Sequence, residues 1–428
     1  MTVPRVGLVG VTGYGRTHLL HAAELHREQV LDLVGYADVR PEAAAAVASV
    51  CDHDVPGFGS FAELLSWQKL DVAVIATPIH LHAEMIEQAI GHGLGVLVEK
   101  PPVVTINDMD RLLALQNARE HAGGPLPIQV GFQTVCSPAV EAASRLTRLG
   151  VLGDVKHIAL LGRWQRSDAY YARTGWAGRL VHQGRYVLDG TLTNPFAHGL
   201  MNALVIAGDD PKEPATPETV QAELYRCRDS IAGDDTACVR IETTNRRTIL
   251  AAVTLCAEKA TDPRIIVVGS RGIATVWYTT GKLALDPDVL ADQVPAELRS
   301  QLQSLRPPDD PIQRDTPSEP VKRPELLRNL LDVVRTSHGD LLCPLRMCRS
   351  FVLSLNGLYE SAGRPRPVSH RALTTRSQEG TDWVTLNGVD ALIEHCGRHG
   401  VLFSEAGASW AAPTRVFSVA GYHDFDLG

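Results

Sequence analysis

The sequence predicts an α/β protein in two parts: an amino-terminal doubly wound parallel sheet, then an α/β domain whose large sheet is mostly antiparallel. Three observations carry that prediction. From residue 1 to about 133, short β-branched runs alternate with stretches of helical length, the pattern of a parallel sheet with helices on both faces. The first run ends in a glycine-rich turn that opens a helix. After about residue 153, long strand-like runs follow one another, as in an antiparallel sheet.

In the first part, strands are expected near 5–9, 31–36, 71–76, 95–98 and 127–132, with helices near 14–28, 41–50, 61–67, 81–92 and 105–120. Ser60 and Thr105 stand where N-caps belong, the latter with Asp108 three residues on. In the second, strands are expected at 154–165, 219–227, 236–243, 246–256, 263–268 and 272–278, with Gly269 to Gly272 as a turn. The polar, proline-rich stretch 286–324 reads as an exposed excursion. Helical patterns follow at 325–336, 344–361 and 388–400, and the tail 417–427 reads as extended or irregular. The expected domains are 1–133, 134–370 and an extension, 371–428, packed on the second domain or on a neighbouring subunit.

Composition narrows the function. A chain of 428 residues exceeds one ordinary core. With 44% hydrophobic and 21% charged residues it reads as soluble and globular. No apolar run approaches the roughly 18–20 residues of a membrane span, and the first strand begins too early for a signal peptide. Eight cysteines without paired spacing fit reduced thiols and a cytoplasmic location. A net charge of −8 with no basic run argues against nucleic acid, so a small-molecule partner is expected.

The glycine-rich turn is chemically specific. Arg5 to Gly10, then Val11-Thr12-Gly13-Tyr14-Gly15, give strand, turn and helix, and a second strand ends at Ala37-Asp38. Such a unit binds a dinucleotide: glycines admit the pyrophosphate to backbone N–H groups, the helix end favours the anion, and Asp38 accepts from the ribose diol. Gly10 and Gly15 keep the fingerprint, but Thr12 takes the middle glycine position with Gly13 beside it. Its Cβ stands where phosphate approaches, so the diphosphate is displaced or bonded by the threonine hydroxyl. The Asp38 carboxylate repels a 2′-phosphate and favours NAD over NADP, while Arg40 works the other way.

Two later strands end at the same type of edge. Asp71 to Ala76 leads into Thr77-Pro78 with His80 and His82 beyond, and Gly95 to Val98 leads into Glu99-Lys100-Pro101-Pro102. A lysine fixed by the following proline can lie beside a nicotinamide ring and supply positive charge as an alkoxide develops. The alternative is an exposed Glu99–Lys100 pair of little energetic weight. The two histidines lack a carboxylate or cysteine to complete a metal site, and read as packing and capping residues; no metal is expected.

Taken in this order, the glycine turn, Ala76-Thr77-Pro78 with His82, Glu99-Lys100-Pro101, Val130-Gly-Phe-Gln133 with Pro138, and Leu152-Gly153 resemble the Gfo/Idh/MocA oxidoreductases over roughly residues 5–365. The resemblance implies an amino-terminal Rossmann domain and a second domain whose open sheet face mediates homodimers or homotetramers. It implies hydride transfer between NAD(P) and a hydroxyl or keto carbon of a sugar, cyclitol or sugar acid. It places Gly10, Thr12, Gly13, Tyr14, Gly15, Asp38 and Arg40 along the cofactor, with Ala76, Thr77, His80, His82, Glu99, Lys100 and Gln133.

The family's second catalytic run, Asp-x-Gly-x-His-x-x-Asp, matches Asn194 to Met201 here, with Asn194, Phe196 and Met201 replacing the two acids and the glycine. Asparagine orients a hydroxyl but does not titrate near neutrality. The resemblance therefore leaves His198 as the neutral-range acid/base, assisted by Lys100; a packed core histidine is the alternative. Upstream, Trp164, Arg166, Tyr170, Tyr171, Arg173 and Trp176 crowd one stretch. Aromatic faces stack on sugar C–H surfaces and guanidinium groups bind hydroxyls or carboxylates; the bland alternative is a packing cluster. With Arg163, three arginines in this stretch hint at a negatively charged substrate. Two other functions fit the same fold: an NAD-dependent glycoside hydrolase, and a non-catalytic dinucleotide-sensing regulator, against which Lys100 and His198 both count.

Overall fold

The computed structural model describes residues 3–67, 69–286, 294–305 and 326–427. They fall into two compact units. The first gathers residues up to 103 with 107–133 and 326–348; the second takes 104–106, the described residues from 134 to 305, and those from 349 onward.

The first unit alternates β1 (Arg5–Val9), α1 (Gly15–Arg27), β2 (Asp32–Ala37), α2 (Ala43–Ala48), β3 (Gly57–Phe58), α3 (Phe61–Trp67), β4 (Val72–Ile75), α4 (His82–Gly91), β5 (Gly95–Val98), α5 (Ile106–Gly123) and β6 (Ile128–Val130). The sheet order is β3-β2-β1-β4-β5-β6, every pair parallel. All residues of β4 and β5 are buried, as expected of strands covered on both faces. Register aligns Val9 with Ala37 and Ile75, and Ile75 with Val98. The strand ends preceding Gly10, Asp38, Ala76 and Glu99 thus share one carboxyl edge. The order reverses between β1 and β4, the switch point where open α/β sheets bind ligands. Ser60 caps α3 as expected, its hydroxyl accepting from Glu63 N at 3.2 Å.

The second unit contains α6 (Pro138–Arg148), β7 (Val155–Arg163), α7 (Asp168–Ala172), β8 (Val181–His182), β9 (Arg185–Tyr186) and α8 (Ala197–Ala207). Then come β10 (Pro217–Arg226), β11 (Thr236–Thr243), β12 (Thr248–Thr254), β13 (Arg264–Gly269), β14 (Ile273–Trp277), β15 (Lys282–Leu285) and α9 (Ala296–Leu305). After α10 (Leu326–Thr336), which lies in the first unit, it resumes with α11 (Arg349–Ala362), β16 (Arg366–Pro367), β17 (Leu373–Gln378), β18 (Thr381–Leu386), α12 (Val389–His399) and β19 (Phe417–Ser418). Its nine-stranded sheet runs β15-β14-β13-β7-β12-β11-β10-β16, with β19 also on β10. Most pairs are antiparallel; β7–β12 and β10–β16 are parallel. The expected turn closes β13 on β14, Gly269 N donating to Gly272 O at 3.0 Å. No helix among the described residues is long and apolar enough to cross a membrane.

Two boundaries differ from the sequence reading. Residues 326–348 group with the first unit rather than the second domain. The cause is the apolar face of α10: Leu326, Leu327, Leu330 and Leu331 join one core with Val72, Val74 and Leu97. Within the expected excursion, α9 is a helix with Leu298 and Leu305 buried, while 287–293 and 306–324 lie outside the described residues. The extension packs on its own unit: Val389, Ile393, Cys396, Leu402 and Phe403 form one core with Ala159, Leu161, Leu250 and Ala252 of the sheet.

Candidate functional site

Backbone geometry explains the glycines of the first turn. Gly10 has φ +84°, and a Cβ there would stand 2.7 Å from the carbonyl oxygen of Ala76. A Cβ on Gly15 would stand 2.2 Å from the carbonyl oxygen of Gly10. Only glycine lets the turn close this tightly on α1.

Asp38 is occupied from within the turn. Its Oδ2 accepts from Val11 N at 2.9 Å, Thr12 N at 3.2 Å and the Thr12 hydroxyl at 2.9 Å, while Oδ1 accepts from Arg40 N at 3.0 Å. The hydroxyl of Thr12 therefore points to Asp38, where the sequence reading aimed it at a diphosphate, because a carboxylate is the stronger acceptor within reach. Oδ1, with a single donor, is the oxygen with capacity left for a ribose diol. The Arg40 guanidinium lies over the turn, 3.5 Å from where a Gly13 Cβ would stand. Tyr14 is exposed, its ring edge-on to His18 at 6.1 Å.

At the ends of β4 and β5 the structure sets aside the alternative of an exposed Glu99–Lys100 pair. Glu99 is buried and bonds His18 of α1, Oε1 to Nε2 at 2.7 Å. Its Oε2 accepts the backbone N–H of Lys100 at 3.2 Å. A Cβ on Gly131 would come within 3.1 Å of Glu99 Oε1, so that glycine also makes room for the carboxylate. Lys100 is half-buried and joined to Pro101 by a cis peptide bond. His82 is fully buried, with Nδ1 2.9 Å from the Pro101 carbonyl and Nε2 2.9 Å from the Thr77 carbonyl. Burial pushes its pKa down, and the two carbonyls and Glu99 pull the other way. Both ring nitrogens are thus engaged by backbone, which makes His82 a clasp between the two loops rather than a direct cofactor contact. Thr77 turns its hydroxyl to Met85 Sδ at 3.3 Å. Ala76, His80 and Gln133 are half-buried.

In the second unit, His198 sits in the first turn of α8, its Nδ1 3.4 Å from the Thr134 hydroxyl. Thr134 also pairs with Asn202, one helical turn after His198, at 3.0 Å. Asn194 donates to Asp189 Oδ1 at 3.1 Å, and Asp189 Oδ2 accepts from Gly178 N at 2.7 Å. Asn194, at the place of the motif's first acid, is thus held by a buried carboxylate five residues upstream. Behind it, Asp234 accepts from Thr191 N at 2.9 Å and from its hydroxyl at 2.5 Å. Burial raises the Asp234 carboxyl to about 6, against lowering by those bonds.

The aromatic stretch forms a ladder. Arg166 lies over Trp164 at 4.8 Å and Tyr170 at 5.1 Å; Arg173 lies over Tyr170 at 3.6 Å and Trp176 at 5.5 Å. Trp164 also packs on Phe196, centroids 4.6 Å apart, which ties the ladder to the start of α8. Tyr171 differs: it is buried beneath Arg228, at 5.2 Å, and burial pushes its hydroxyl well above the ordinary range. It belongs to the core, not to a substrate surface. Beside it, Cys227, Asp235 and Cys256 converge as possible metal donors. The Arg228 guanidinium already supplies the cation there, 3.2 Å from Asp235 and 3.0 Å from Cys256 Sγ.

Sequence reasoning missed His18, Thr134, Asp189 and Asn202. No motif names them; the one local signal is that Asn202 follows His198 by one helical turn.

Residues 5–122 match the profile of an oxidoreductase family with an NAD-binding Rossmann fold, Gfo/Idh/MocA. The inositol 2-dehydrogenase of Rhizobium meliloti is 25% identical over 61% of this chain and 73% of its own length. The rhizopine catabolism protein MocA of the same organism is 24% identical over 44% of this chain, and the match spans just 56% of that relative. Among solved structures, the WlbA dehydrogenase of Bordetella pertussis, in complex with NADH and UDP-GlcNAcA, superposes with a TM-score of 0.64 at 19% identity, over 84% of this chain and 96% of that one. At that identity the likeness is one of fold.

Proposed function

Residues 5–122 carry the nucleotide-binding domain of the Gfo/Idh/MocA oxidoreductases, and from that premise we propose that the protein is an NAD-dependent dehydrogenase or reductase acting on a CH–OH carbon of a sugar, cyclitol or sugar acid. The observation that carries this reading is the shared carboxyl edge: the glycine turn after β1, Asp38 after β2 and Lys100 after β5 follow strands in one parallel register. The turn suits a pyrophosphate, because it closes tightly onto the amino-terminal end of α1. Asp38 suits a ribose diol and disfavours a 2′-phosphate. NAD supplies the hydride acceptor or donor.

Lys100 supplies positive charge to the reacting oxygen, and the His18–Glu99 pair fixes the backbone from which it projects. His198 takes or returns the hydroxyl proton, with Thr134 holding its Nδ1 side. Asn194, oriented by Asp189, holds a substrate hydroxyl. The guanidinium groups of Arg166 and Arg173 favour a substrate with a negative group, such as a uronate.

The test is nicotinamide absorbance with a panel of sugars, cyclitols and uronates, using NAD and NADP. Lys100→Ala should abolish turnover while NAD affinity stays within about tenfold, or ~1.4 kcal/mol. His198→Asn should lose rate even at saturating substrate. Unchanged turnover in Lys100→Ala removes that residue from the chemistry.

A further inference from the structure

The nine-stranded sheet has two faces, and over β7, β12 and β11 the chain covers both. Toward one side, Leu160 and Gly162 of β7 meet Gly199 and Phe196 at α8. On the other, Ala159 and Leu161 of the same strand, with Leu250 and Ala252 of β12 and Cys238 of β11, pack against Ile393, Cys396, Leu402 and Phe403 of the extension. An open sheet must bury such an apolar face against something. We propose that residues 389–414 act as an attached partner for this face, so that the full-length chain closes it in cis and does not self-associate through it.

The fit is that of a built interface. A Cβ on Gly397 would stand 2.3 Å from Leu161 Cδ2, so α12 lies directly on the strand. His157 Nε2 bonds the Gly397 carbonyl at 2.8 Å. Ion pairs frame the contact: Glu394 with Arg264 at 2.5 Å and Arg163 at 3.4 Å, and Glu405 with Arg240. The polar groups of β10 on this face are answered too. Glu223 accepts from Ser404 N at 3.1 Å, Tyr225 accepts at its hydroxyl from Ala412 N at 3.0 Å, and Gln221 donates to the Thr414 carbonyl at 2.9 Å. A second copy would have to displace a segment held on the same chain, hence at an effective concentration that separate molecules do not reach. Over β7, β12, β11 and β10, the face named in the sequence reading as an assembly surface is therefore already filled.

The test uses the full-length protein. Light scattering should give the mass of one chain over a dilution series, and hydrogen exchange should show the amides of α12 protected in that species. Gly397→Leu drives a side chain into Leu161; α12 should lose protection and the mass should rise with concentration. Should that variant fail to fold, Glu405→Arg places like charge against Arg240 and should loosen the same contact, with Arg240→Glu in the double variant restoring protection. Fast exchange of α12 in the wild type overturns the proposal. So does a wild-type dimer that Arg398→Glu, on the exposed side of α12, takes apart. A dimer indifferent to that substitution, with α12 protected, leaves the face closed in cis and supports it.

Discussion

Two carboxylates show how position decides what the same group does. Asp38 sits at a strand end with three donors from the glycine turn and a fourth from Arg40, so it organises the loop. Asp38→Ala should weaken NAD binding and relax the preference over NADP, read by titrating both; an unaltered preference removes Asp38 from cofactor choice. Asp234 is fully buried, with its carboxyl raised from 3.8 to about 6. A group whose folded pKa exceeds its unfolded value stabilises the fold below the unfolded pKa, and that contribution is lost as pH rises through the folded one. The protein should therefore lose up to about 3 kcal/mol between roughly pH 4 and 6 from this residue, at ~1.4 kcal/mol per pKa unit. Asp234→Asn keeps an acceptor for Thr191 and does not ionise. Denaturant midpoints across that range should be flatter in the variant, which gains on the wild type as pH rises. Parallel pH profiles would assign the slope to other groups.

At the scale of elements, the tight joints are where small changes weigh most. In Gly15→Ala the new Cβ would meet the backbone oxygen of Gly10 at 2.2 Å, so the turn must open. The expected outcome is loss of the NAD-induced rise in melting temperature, with modest loss of stability in the free protein. The strands of the first sheet were legible because buried parallel strands are short apolar runs, and glycine and proline mark their ends. The large sheet was legible because successive β-rich runs leave no length for crossover helices. The hairpin of β17 and β18 was not foreseen, since β17 is almost wholly exposed and neither strand carries an alternation of apolar side chains. The His18–Glu99 pair was equally silent: its partners lie 81 residues apart, and nothing local to either names the other. Lys100, His198 and Asn194 were nameable through motif spacing, whereas Asp189 and Asn202, which hold them or their neighbours, follow no motif.

At the scale of the whole chain, the first unit is not a contiguous stretch, and this has a thermodynamic consequence. An amphipathic helix announces that it buries one face but not which core receives it, so a division at residue 133 leaves α10 outside the unit it belongs to. Its leucines at 326, 327, 330 and 331 are nearly inaccessible and share a core with β4 and β5. A Cβ on Gly95 of β5 would come within 2.8 Å of Val334 Cγ2, so helix and strand lie in close contact. Leu330→Ala should cost about 2–5 kcal/mol, the usual range for a buried leucine. Four such residues are comparable to the roughly 5–15 kcal/mol that holds a typical domain together. A fragment ending at residue 133 should therefore be unfolded and unable to bind NAD, although it contains the whole dinucleotide fingerprint. The same fragment with residues 326–348 joined by a flexible linker should recover helical signal and NAD binding together. If the short fragment folds cooperatively and binds NAD with unchanged affinity, α10 is dispensable cover rather than part of the cofactor-binding core.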